Sequence, residues 1–165
     1  MTEPWLSGPL PGIDPLLAPI FYSFAQTRHE LRHHTDGLSP SDLWAHPHGI
    51  TPAAFHIRHI GGAVDRLGTY LRGEQLTDTQ LAELKRESEP GASRDELLTA
   101  MEAQLAACEA FVRTIDPAHL RHPREVGRKK LPTTVIGLIV HIAEHTQRHL
   151  GQAITTIKLV RAAQA

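Results

Sequence analysis

Residues 133–160 read TTVIGLIVHIAEHTQRHLGQAITTIKLV, and the recurrence of their apolar positions decides the class of fold. Leu138, Ile142, His145, His149 and Ala153 are spaced by four, three, four and four, which draws a single stripe along an α-helix. A stripe of that kind faces a core. Two of its positions therefore put histidine where a bundle helix ordinarily carries aliphatic side chains. At 100° and 1.5 Å per residue, the two imidazoles lie about 40° apart around the axis and roughly 6 Å apart along it, within reach of one ion. His141 comes one turn earlier, toward the edge of the stripe, so the pair His145 and His149 is geometrically preferred.

Three further amphipathic segments precede this one. The first runs from about Leu16 to Thr35, with Leu17, Ile20, Phe24 and Leu31 at helical spacing and Gly37 and Pro40 as stops. After a loop from Ser39 to Ile50, Thr51 as N-cap and Pro52 at the first helical position predict a second helix, which ends at Gly73. The polar stretch Thr77 to Ser88 reads as a short surface helix broken by Glu89-Pro90-Gly91. Ser93 followed by Glu96 is a capping-box signature, and the Ala- and Leu-rich run to Ile115 makes the third long helix. Pro117 to Leu131 holds Pro123, Gly127 and Arg128-Lys129-Lys130, a long crossover with room for a short hairpin, and the last helix reopens at Pro132-Thr133. Residues 1–15 carry Pro4, Pro9, Pro11 and Pro15 with Gly8 and Gly12, which predicts an irregular arm. The expectation is all-α: one domain over residues 16–165, folded as an up-and-down four-helix bundle with a long crossover before the last helix.

A chain of 165 residues suits one core, and its 41% hydrophobic and 21% charged residues have the balance of a globular protein. Lys+Arg 17 against Asp+Glu 18 leaves a net charge of -1, without the excess of cations that nucleic acid requires, so no nucleic-acid partner is expected. The apolar run Val135 to Val140 is far short of the roughly 20 residues of a spanning helix, so no membrane partner is expected either. Cys108 is the single cysteine, and no basic region leads into an apolar signal core, a pattern that fits a reducing cytoplasm. Histidine is the biased residue, its 12 copies exceeding Phe, Trp and Tyr taken together.

Two imidazoles on one helix lack the third protein ligand of an open metal site, so another helix must supply it. The second helix offers His56 and His59 beside the stripe Ile60, Val64, Leu67 and Leu71; the first offers His29, His33 and His34 near its end. Periodicity does not choose between His56 and His59. The segments His56-Ile57-Arg58-His59-Ile60-Gly61-Gly62, Arg66-Leu67 and Tyr70-Leu71, followed by His141-Ile142-Ala143-Glu144-His145-Thr146-Gln147-Arg148-His149-Leu150-Gly151-Gln152, resemble the DinB-like (DinB/YfiT-like) superfamily of metal-binding four-helix bundles. The resemblance extends from about Leu16 to Val160, and its terminal segment is the most specific part; Leu150 departs from it, since many relatives carry Arg there. It implies His59, His145 and His149 as ligands of one divalent ion, and a homodimer.

Three neutral imidazoles would leave such an ion positively charged with an open position, and zinc or nickel suits nitrogen donors better than magnesium or calcium. The family includes S-transferases and isomerases that use bacillithiol or mycothiol, and the metal-binding part of sulfoxide synthases of ergothioneine biosynthesis. The implied function is a metal-dependent enzyme of thiol S-transferase type, acting on a small-molecule thiol and an electrophile. A hydrolase using metal-bound water and a non-catalytic, stress-related interaction module are the alternatives. Arg66, two turns after His59, reads first as a solvated or ion-paired residue and otherwise as a holder of an anionic substrate; Gln152, one turn after His149, is placed either for ordinary helix packing or to hydrogen-bond a metal-bound water. Cys108 in its Ala-rich helix reads as a small core residue, Glu144 as a surface or rim residue and Arg128-Lys129-Lys130 as a solvated turn.

Overall fold

The computed structural model describes residues 2–164. In chain order it contains α1 (Ala18–His34), α2 (Pro40–Leu43), α3 (Ala53–Arg72), α4 (Asp78–Arg86), α5 (Arg94–Val112), a hairpin of β1 (Pro123–Val126) and β2 (Leu131–Thr134), and α6 (Val135–Ala162). The four long helices bury Ile20, Phe24 and Leu31 of α1, Ile57, Ile60 and Leu71 of α3, Leu105 of α5, and Ile139, Ile142 and Ile157 of α6 in the core. The all-α bundle expected from the apolar stripes is the observed architecture.

Local chemistry sets the ends of these elements. Ser93 accepts from the Glu96 amide while the Glu96 carboxylate accepts from the Ser93 amide, so the expected capping box opens α5. Thr77 and Gln80 build the same box at α4. Gly73 closes α3 with φ 85°, a left-handed conformation that costs a residue without Cβ little. Three boundaries differ from the sequence reading. Thr51 does not cap α3; Pro52 occupies the N-cap, and the Thr51 carbonyl instead accepts from Thr156 Oγ1 on α6 at 3.2 Å. The last helix starts at Val135, capped by Thr134, because Pro132 is held in β2 opposite Glu125. The loop after α1 contains the single turn α2, capped by Ser39 and Asp42.

Contacts between helices define the course of the chain. α6 runs parallel to α1, since Gln147 donates to the Ser23 carbonyl at one level and Arg161 to the His34 carbonyl at another. α3 runs antiparallel to α6, with His56 beside His149 and Thr51 beside Thr156. α5 runs antiparallel to α1, tied by Arg28 to Glu102 and Glu109 and by Arg94 to Thr35. α5 and α3 are parallel, with Gly61 against Met101 and Arg72 over Phe111. The order of directions is therefore up, down, down, up. With α3 and α5 running in the same direction, this course corrects the simple up-and-down alternation expected from the sequence. The long connection expected before α6 is present, with the hairpin inside it. A second long connection, from Gly73 to Ser93, has to return along the full length of α3, and α4 lies within it. Gln80 on α4 donates to Asp65 and Thr69, and Arg58 donates to the carbonyls of Arg86 and Glu89, which fasten this return to α3.

Candidate metal centre

The antiparallel pairing of α3 and α6 brings three imidazoles together. Ring centroids lie 4.4 Å apart for His59 and His149, 4.5 Å for His145 and His149, and 5.1 Å for His59 and His145. One ring nitrogen from each falls within 4.8 Å of the other two. Nitrogens each about 2.0–2.1 Å from a common tetrahedral ion stand roughly 3.3 Å apart, so modest side-chain rotation closes the set around one. All three side chains are partly buried, and their donor chemistry fits a borderline divalent ion.

His56, the alternative that periodicity left open, sits beside this group. Its side chain is buried, and its Nδ1 lies 3.0 Å from Nδ1 of His149. With the proton on Nδ1 of His149 and Nδ1 of His56 accepting it, Nε2 of His149 keeps its lone pair for a ligand. His29, His33 and His34 stay on α1, where His34 meets Glu30 at 3.1 Å, and His141 pairs with Glu144 at 2.8 Å on the exposed side of α6. Glu144 also receives Arg148, so it is a surface residue as expected.

A carboxylate that the sequence did not single out completes the surroundings. Glu87, just past the end of α4, is 4% exposed; its Oε2 lies 2.6 Å from His59 Nδ1, and its Oε1 accepts from Arg66 Nη1 at 2.7 Å. Arg66 is thus an ion-paired, buried residue on the same face of α3 as His59. Phe55 stacks on His59 with centroids 5.4 Å apart and planes 11° from parallel. Nothing in a polar surface stretch marks Glu87 in sequence; only the return of the chain along α3 carries it across 28 positions to His59.

Burial, then the neighbouring imidazoles, pull the pKa of His145 and of His149 down to about 4, and burial followed by His59 does the same for His56. The rings are neutral donors at neutral pH. Cys108 is buried, and burial pushes its thiol up to about 12, with Glu109 adding to the effect; it is a core residue without nucleophilic character.

Two clefts flank the histidines along α3. One of about 660 Å³ lies between α3, α4 and α5, with Gly62, Asp65, Arg66 and Glu87 in its wall; the other, about 440 Å³, is bordered by His56, Arg148 and Gln152. The two residues expected to meet substrate therefore separate: Arg66 reaches the first cleft from its ion pair, while Gln152 is exposed at the second. Leu150 is 3% exposed and belongs to the core. Tyr70 is buried and Trp44 donates to the Ala92 carbonyl at 2.9 Å, the anchoring roles that scarce aromatics fill first.

A family model described as DinB superfamily matches residues 23–153, well over half of the chain and inclusive of every histidine in the group. No curated protein matches the chain. Among the described residues, no helix is long and apolar enough to cross a membrane.

Proposed function

Because the chain belongs to the DinB superfamily, whose members are generally metal-binding, we propose that it is a metal-dependent enzyme of thiol S-transferase type with zinc or nickel at His59, His145 and His149. The observation that carries this reading is the convergence of three imidazole nitrogens within 4.8 Å on two core helices. A divalent ion there supplies positive charge that lowers the pKa of a thiol or water reaching its open position. The protein's own contribution is His145 and His149 kept neutral by burial and a His59 ring fixed between Phe55 and Glu87. Cys108 offers no nucleophile, so the thiol has to come from outside. Arg66 presents the part of its guanidinium not taken by Glu87 to an anionic group in the larger cleft, and Gln152 offers its amide at the rim of the smaller one. The proposal places the protein in the cytoplasm as a homodimer, for which the exposed Trp5, Leu6, Leu16 and Val140 supply apolar surface.

The test is metal content of untagged protein, followed by cobalt substitution and titration with low-molecular-weight thiols. The expected outcome is one equivalent of zinc or nickel and a thiol-dependent change in the cobalt spectrum. The competing reading, favoured by ligands drawn from both α3 and α6, is an ion that staples two helices without catalysis. Chelation that unfolds the bundle, with cobalt spectra indifferent to thiols and anions, would reject the enzyme in favour of the staple. Light scattering at several concentrations decides the dimer.

A further inference from the structure

We propose that Glu87 is the positioning residue of the histidine site: it holds His59 as the Nδ1–H tautomer, so that Nε2 is the lone pair turned toward a divalent ion. The proposal rests on the reading of His59 as a ligand, and its test separates the two. An ionised carboxylate only accepts hydrogen bonds, so at 2.6 Å from Glu87 Oε2 the His59 Nδ1 must carry the proton. The second oxygen of Glu87 accepts from Arg66 at 2.7 Å, an ion pair that stops the carboxylate turning away from His59. Arg58 holds the main chain on either side of Glu87 through the carbonyls of Arg86 and Glu89.

Gly62 shows how closely this arrangement fits α3. A Cβ at that position would collide with Glu87 Oε1 and stand 2.7 Å from Arg66 Nη1, so the carboxylate and guanidinium occupy the space that any other residue would fill. The surroundings are thus built for one side chain in one pose. A neutral imidazole without such a partner divides between two tautomers and turns freely about its last torsion, and loss of a partner of this kind typically weakens metal binding about 10- to 100-fold.

The experiment uses the full, untagged chain and zinc alone as probe. Zinc affinity is measured by competition with a chromophoric chelator for wild type, Glu87→Ala, Glu87→Gln, Gly62→Ala and His59→Ala. Long-range proton–nitrogen correlation reads the His59 tautomer in each metal-free protein. Expected are an Nδ1-protonated His59 in wild type, mixed tautomers with zinc binding about 10- to 100-fold weaker in Glu87→Ala, and a weakened Nδ1–H preference in Glu87→Gln, whose single acceptor oxygen cannot serve Arg66 and His59 together. Glu87→Ala that binds zinc within about two-fold of wild type, while His59→Ala is at least about ten-fold weaker, overturns the role of Glu87 and leaves His59 a ligand. Unchanged affinity in both variants overturns the ligand reading, and the proposal with it. If Glu87→Ala does not fold, Gly62→Ala keeps every polar group and displaces the pair; a folded Gly62→Ala with wild-type tautomer and affinity also overturns the proposal.

Discussion

His145 and His149 stay neutral well below the ordinary imidazole range because burial and the adjacent rings oppose a charge on either. The sequence alone assigns them the ordinary value of about 6.5, at which metal binding would already weaken. In the metal-free protein, both rings should instead titrate near about 4, as read from proton NMR of the imidazole carbons; a midpoint at the ordinary value would contradict the buried geometry. The sign for stability follows. A folded pKa below the unfolded one means that the unfolded chain takes up protons first. The contribution of His56, His145 and His149 is therefore complete above about 6.5 and is lost as pH falls toward about 4. Thermal melts of the metal-free protein should show a falling Tm across that interval, and a flat profile would count against it. His145→Ala should abolish tight zinc binding and His33→Ala should leave it intact, with the chelator competition as readout. The histidine pair on α6 was legible because a single helix sets its spacing. Glu87 was not, because its place depends on where a surface segment 28 positions away comes to rest.

Along α3, two glycines of similar burial should respond in opposite directions to alanine. A Cβ on Gly61 would lie 3.0 Å from Met101 Cα, a backbone atom that moves only if α5 moves, so Gly61→Ala should cost about 1–3 kcal/mol. A Cβ on Gly68 would meet only Arg72 Nη1 at 3.7 Å, and Gly68→Ala should stabilise the protein by up to about 1 kcal/mol through helix propensity. Urea denaturation of the two variants decides both signs. Ser93→Ala should cost about 1 kcal/mol by opening the capping box of α5, measured the same way. The Ser93 and Gly73 signals were readable because cap chemistry is local. Thr51 and Pro132 misled for the complementary reason: a carbonyl recruited by α6 and a strand partner at Glu125 outweighed a good local start signal.

For the whole molecule, the apolar core runs through all four long helices and does not depend on the histidines for its continuity. Removal of metal should leave the helical far-UV circular dichroism intact, while excess zinc should raise Tm by mass action. Loss of helix on chelation would move the balance to the stapling reading. By itself the sequence determined four amphipathic helices, their number and rough limits, and a pair of histidines facing inward from the last. Those features follow from periodicity and capping, which act within a few residues of the chain. The tertiary structure alone decided the up, down, down, up course, the contact of His56 with His149 beside the group that His59 forms with both rings of the pair, and the seating of Glu87 between His59 and Arg66. Each of these depends on which helix faces come into contact, and that is set by the packing of the entire core and not by the pattern of any one segment.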